Sequence, residues 1–145
     1  MSSPRPVAPR RPAAAKRKYP AIIVGPLPVD KINGALGTEL EPGVVSVSPA
    51  CHRHIAEDHP DDYPHIIAAI ADIVTGPLYV GQDPKHADNF YVVRRLPEEA
   101  PNPYGLVAIG FERNKEGGYS VKSAYTINQV TVDKRRAARR LHRIL

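Results

Sequence analysis

The stretch IADIVTGPLYVG, Ile70 to Gly81, decides the fold, because the hydrophobic period changes inside it. Upstream, Ile66, Ile67, Ile70, Ile73 and Val74 recur at spacings of one, three and four residues, the pattern of a helix with one apolar face. Gly76-Pro77 stops that helix. Downstream the period is two, and residues 78–80, 90–96, 106–113 and 119–128 read as four strands. The glycine-bearing loop 114–118 predicts a hairpin, and the proline-rich 97–103 a longer, stiffer connection. Helices followed by an antiparallel meander make an α+β fold, with N-terminal helices packed on a four-stranded antiparallel sheet.

Further toward the N-terminus, Ser48-Pro49 is a hydroxyl cap followed by proline in the first turn. The helix it opens must end at His59, since Pro60 disfavours helical geometry in the residue before it. Asp61-Asp62-Tyr63-Pro64 opens the next helix. Residues 43–47 form a β-branched strand, 29–36 a helix stopped by Gly37, and 21–24 a short apolar run ended by Gly25-Pro26. A basic helix is predicted over roughly 132–145. Residues 1–18, MSSPRPVAPRRPAAAKRK, carry little to bury and are expected to be disordered or polyproline-like, ahead of one domain over 19–145.

Forty-two per cent hydrophobic residues in 145 suffice for one modest core, and the absence of Trp with seven Tyr and two Phe suits strands. No apolar run approaches a membrane span, and proline-rich sequence stands where a signal peptide needs an apolar segment, so a cytoplasmic protein without membrane contact is expected. The single cysteine, Cys51, excludes an intrachain disulfide. The net charge of +5 is unevenly spread. Residues 1–20 hold six Lys/Arg and no acid, residues 133–145 hold six against Asp133, and the segment between holds eight against fourteen acids. Basic ends around an acidic body suit a polyanion, foremost RNA or another nucleic acid, or else a solubilising tail and a solvated helix face.

The segment CHRHIAEDHP, Cys51 to Pro60, holds three of the six histidines. At about 100° per residue, His52, Ile55 and His59 share one face, while His54 and Asp58 share another, where the carboxylate can orient the ring. Imidazoles in two settings suit acid–base chemistry. The same rings also suit solvated or capping roles, and their spacing fits no standard zinc pattern, so no metal and no cofactor are expected. Cys51 reads as a small core residue. In the last strand, alternation places Val121, Ser123, Tyr125 and Ile127 on one face, with Lys122, Ala124, Thr126 and Asn128 on the other. Two hydroxyls among branched apolar residues either satisfy buried partners or open onto a cleft.

Several segments stand together in an order that resembles the phage-associated branch of the barnase–EndoU–colicin–RelE (BECR) nucleases. They are VVSVSP, the HI and DHP of HRHIAEDHP, IADIVTGPLYVG, NFYVVRRL, LVAIGFERN, YSVKSAYTI and the basic end DKRRAARRL. The resemblance implies a BECR-like fold and a metal-independent ribonuclease site between the helices and the sheet. In it His54 and His59 match the helix histidines, Ser123 the last-strand hydroxyl and Tyr125 the aromatic after it. Arg113, Lys122, Arg135, Arg136 and Arg139 are the cations expected to meet RNA. Such a site sets a ribose 2′-hydroxyl against the adjacent phosphate, with one group taking a proton and another protonating the departing oxygen. The resemblance further implies a virion-associated or toxin-like protein, with an immunity, inhibitor or virion partner. A catalytically inactive nucleic-acid-binding or structural module of the same fold is the alternative. Deletion of residues 1–18 should leave the thermal midpoint within about 5 °C of the full chain, measured by calorimetry.

Overall fold

A computed structural model describes residues 18–145, so the tail expected over 1–18 lies, but for Lys18, outside the described residues. The chain runs β1 (Ile22–Pro26), α1 (Val29–Leu36), β2 (Val44–Val47), α2 (Pro49–Asp58), α3 (Tyr63–Thr75), β3 (Tyr79–Gln82), β4 (Asn89–Arg95), β5 (Tyr104–Gly110), β6 (Tyr119–Ile127), α4 (Gln129–Ala137) and β7 (His142–Arg143). It is an α+β fold built on one seven-stranded sheet in the order β1-β2-β6-β5-β4-β3-β7.

Seven strands, and not the four expected, form the sheet. The meander β3 to β6 is extended at one side by β2 and β1, which enter through a parallel pairing of Val45 and Ser46 with Tyr119 and Ser120. On the other side β7 pairs with β3. The C-terminal helix is correspondingly shorter than 132–145. It ends at Ala137, after which Arg139 takes a left-handed φ of 59° and Leu141, 3 % exposed, turns back onto the sheet. Burial of that leucine outweighs the helix propensity of the Arg/Ala run.

The helix termini follow their local chemistry. Ser48 Oγ accepts the Cys51 amide at 3.1 Å, and Pro49 occupies the first turn of α2. Gly37 caps α1 at φ 69°, and its N–H reaches Asn33 O at 2.8 Å. Asp62 departs from the capping role suggested by its place before α3. Its carboxylate accepts the Thr126 amide at 2.9 Å and the Thr126 hydroxyl at 2.8 Å, 64 positions away. Asn102 donates to the same hydroxyl at 2.7 Å, so the start of α3, β6 and the β4–β5 connection meet at one polar knot.

Two apolar clusters occupy the two faces of the sheet. The larger joins α1, α2 and α3, through residues such as Ile32, Ile55, Ile66, Ile70 and Ile73, to Val80, Phe90, Val92, Val107, Ile109, Val121 and Ala124. The smaller joins α4, through Val132, to Tyr79, Tyr91, Val93, Tyr104, Leu106, Ala108 and Ile127. β5 is buried along its whole length because both layers cover it. No helix among the described residues is long and apolar enough to cross a membrane.

Replacement of Thr126 by valine leaves the Asp62 carboxylate facing a methyl group in a half-buried site. The loss should amount to about 1–3 kcal/mol, read as a lower urea midpoint at unchanged slope.

Candidate active site

A β-bulge in β6 determines which side chains can act together. Ala108 pairs with Ser123 but its neighbour Ile109 pairs with Val121, so Lys122 is an extra residue opposite no partner. The bulge resets the alternation. Val121 stays with the helices α1–α3, whereas Ser123 joins Ala108, and Tyr125 joins Leu106, on the α4 face. The sequence pattern had placed Val121 together with Ser123 and Tyr125, and the resemblance had put the site between helices and sheet. The two hydroxyls lie on the opposite face.

His59 reaches that face from the end of α2. Past Ser46 the strand β2 leaves β6, and α2 packs along the edge that it vacates. At the C-terminal end of α2 the His59 ring lies against Tyr125, with centroids 5.2 Å apart and planes inclined by 33°. The turn after it is held by the His59 carbonyl, which accepts the Tyr63 amide at 2.9 Å. The other histidines of the segment point elsewhere. His54 pairs with Asp58 at 3.0 Å, both about half exposed on the outer side of α2. His52 is buried, with Nδ1 2.8 Å from the Pro20 carbonyl and Nε2 2.6 Å from the Tyr63 hydroxyl. A carbonyl only accepts, so Nδ1 carries the proton, Nε2 accepts from Tyr63, and the ring is a structural tie. The structure thus brings His59, Ser123 and Tyr125 to one face and leaves His54 on solvent.

Behind Tyr125 stands Tyr91. Burial, and then its neighbours Tyr125 and Asp83, push the Tyr91 phenol far above its usual range, so it remains a neutral hydrogen-bonding group. The Arg135 guanidinium lies over the Tyr91 ring at 5.0 Å, with a buried Nη1 that has no hydrogen-bond partner among the described residues. Neither Tyr91 nor Asp83 was singled out in the sequence. In NFYVVRRL the trace is present, since Phe90 and Val92 face the helices while Tyr91 and Val93 face α4, but both sets are buried and the period alone marks no site.

The expected RNA-facing cations are placed in different ways. Lys122 is exposed, with its stem across Gly110. Arg113 is committed to the fold: it donates to the carbonyls of Gly117 and, at 2.9 Å, Pro42, locking the hairpin loop onto the segment before β2. Arg136 stacks on Tyr79 at 5.0 Å, and Arg139 lines a depression of 420 Å³ with Arg140, Gln82 and His142. Among the described residues no three His, Cys, Asp or Glu side chains are grouped as a metal ion would require.

A family model described as phage-Barnase-EndoU-ColicinE5/D-RelE like nuclease3 matches residues 22–134, a span that contains His59, the bulge and Tyr125. No curated protein and no solved structure matches the chain.

Burial pushes the Cys51 thiol up to about 11, offset in part by the charge of Lys122. A raised pKa means less thiolate, on the order of a hundredfold less at pH 8 than in a free cysteine. Iodoacetamide should therefore label Cys51 slowly at that pH, with a rate that keeps climbing past pH 10. Labelling at pH 8 as fast as a free thiol would show that the side chain is not held as described.

Proposed function

The chain belongs to the phage-Barnase-EndoU-ColicinE5/D-RelE like nuclease3 family, and from that premise we propose that it is a metal-independent endoribonuclease working on the α4 face of its sheet. The observation that carries the reading is the packing of His59 against Tyr125 beside Ser123, which sets an imidazole and two hydroxyls along one strand. In the proposed reaction His59 takes the proton from a ribose 2′-hydroxyl. The freed oxygen attacks the adjacent phosphorus and forms a 2′,3′-cyclic phosphate. The bond to the 5′-oxygen breaks, and that oxygen receives a proton from Tyr125, whose hydroxyl is backed by Tyr91. Lys122 and Ser123 meet the phosphate oxygens as negative charge builds on them. His54 takes part in no step.

A second reading has one observation in its favour. With His54 turned to solvent, a single histidine of the pair remains on the face, which suits a nucleic-acid-binding or virion-associated module that cuts nothing.

Incubation of purified protein with RNA in excess EDTA separates the two. Cleavage should persist in the chelator and leave cyclic phosphate ends. His59→Ala should lower the rate by about 10²-fold or more, the usual scale of a proton-transfer group, while the thermal midpoint stays near that of the parent. Ser123→Ala should likewise slow cleavage without unfolding the chain, and His54→Ala should cleave as the parent does. Binding without cleavage by the parent establishes the second reading, and cleavage that requires an added divalent metal overturns the proposed chemistry.

A further inference from the structure

Four arginines among the described residues lie over tyrosine rings, and three of them also place a donor on a nearby oxygen. Arg95, 5.4 Å over Tyr104, donates to the hydroxyl of that ring at 3.2 Å. Arg136 does the same on Tyr79, at 5.0 and 3.3 Å. Arg113, 5.7 Å over Tyr119, donates to the carbonyls of Gly117 and Pro42. Arg135 is the exception. It lies over Tyr91, yet it forms no ion pair and its buried Nη1 has no hydrogen-bond partner among the described residues. The Tyr91 hydroxyl has Tyr125 and Asp83 beside it instead. A buried donor without an acceptor is costly, and such an orphan marks a place where an acceptor belongs.

We propose that Arg135 is a substrate-binding residue of the α4 face, whose guanidinium leaves the Tyr91 ring to take the non-bridging oxygens of the phosphate at the cut. The inference rests on the proposed function, and it adds to Lys122 and Ser123 a cation from α4. Position supports it. Tyr91, Ala108 and Ser123 pair in one row across β4, β5 and β6, so Tyr91 and Ser123 stand on one face two strand spacings apart, roughly 10 Å. Only the Ala108 methyl separates them in that row. Chemistry supports it too, because the planar fork of arginine offers two parallel N–H donors to two phosphate oxygens. The carboxylate beside Tyr91 does not compete for the fork. Asp83 accepts the amides of Lys85 and His86 through Oδ1, at 2.8 and 3.1 Å, and forms no pair with Arg135. Arg135 as a whole is only half-buried, which leaves the side chain a way out. Little is lost in the move, since Nη1 has no bond to break and the ring contact is weak beside a charge-assisted one.

The test uses the full chain in EDTA and a short 2′-O-methyl RNA oligomer, whose methyl group blocks the attacking oxygen, so binding is read apart from cleavage. Fluorescence anisotropy gives Kd over a series of salt concentrations. On a single strand each phosphate contact adds about 0.7 to the slope of log Kd against log salt. Arg135→Gln removes the charge, and its slope should be lower by about that amount. Arg135→Lys keeps the charge and should keep the slope. On cleavable RNA, Arg135→Gln should lower kcat by about 10²-fold, the scale of one lost donor to a developing oxyanion. KM should move far less, and the thermal midpoint should stay near that of the parent. Arg135→Ala should regain part of its kcat in millimolar guanidinium, which a residue that only packs on Tyr91 would not show. A slope unchanged in Arg135→Gln overturns the contact, as does a parent that binds no RNA. A lower slope with kcat unchanged from a cleaving parent moves the contact to a flanking phosphate and overturns the assignment to the cut. A lower slope in a chain whose parent cleaves nothing removes the proposed function and keeps the phosphate contact; cleavage with an unchanged slope does the reverse.

Discussion

One extra residue in β6 sets the direction of every side chain after it in the strand. Lys122 has no partner across the ladder, so the strand crosses the bulge with its faces exchanged. Ala124 and Thr126 then turn toward the helices, and Ser123 and Tyr125 away from them. The exchange is held at its far end by Asp62, whose carboxylate takes both the amide and the hydroxyl of Thr126. A slip of the register by one residue would move Thr126 off that carboxylate and bring Tyr125, with its ring and hydroxyl, into the isoleucine layer of α3. The polar knot and the bulge therefore specify one another.

The same edge of β6 explains how a helix contributes to a sheet-borne site. β2 accompanies β6 for only two residue pairs before it diverges. The exposed edge is then covered by α2 and by the turn at Asp62, which also removes a template for unwanted strand pairing. α2 packs against the strand, and His59 at its end lies against Tyr125. Pro60 ends the helix there, and the His59 carbonyl draws the chain into α3.

Most of the elements were legible in the sequence, and the order in which they assemble was not. The capped start at Ser48, the stop at Pro60 and the isoleucine face of α3 follow from local chemistry that the fold does not override. The parallel union of Val45-Ser46 with Tyr119-Ser120 joins segments far apart in the chain, and no periodicity records such a pairing. Hence the strand at 43–47 and the short apolar run at 21–24 carry no local sign that they join the sheet. Arg and Ala favour a helix through to the C-terminal residues, whereas a single buried leucine, Leu141, ends it at Ala137 and returns the chain to the sheet. The bulge did leave a trace: Lys122-Ser123 puts two polar residues in succession where strict alternation allows one. That doubling marks the point beyond which the expected faces of β6 are interchanged.

The α4 face has a consequence for how the chain comes into being. Its parts are drawn from the end of α2, from β4, from β6 past the bulge and from Arg135 on α4, and β6 is the strand that joins the N-terminal pair to the meander. A nascent chain leaving the ribosome therefore has no such face while β6 is still inside the exit tunnel. The first half of the protein emerges with its histidine segment made but with nothing for His59 to rest against. Whatever chemistry the face performs is thus deferred until β6 and α4 have both emerged and folded onto the earlier elements.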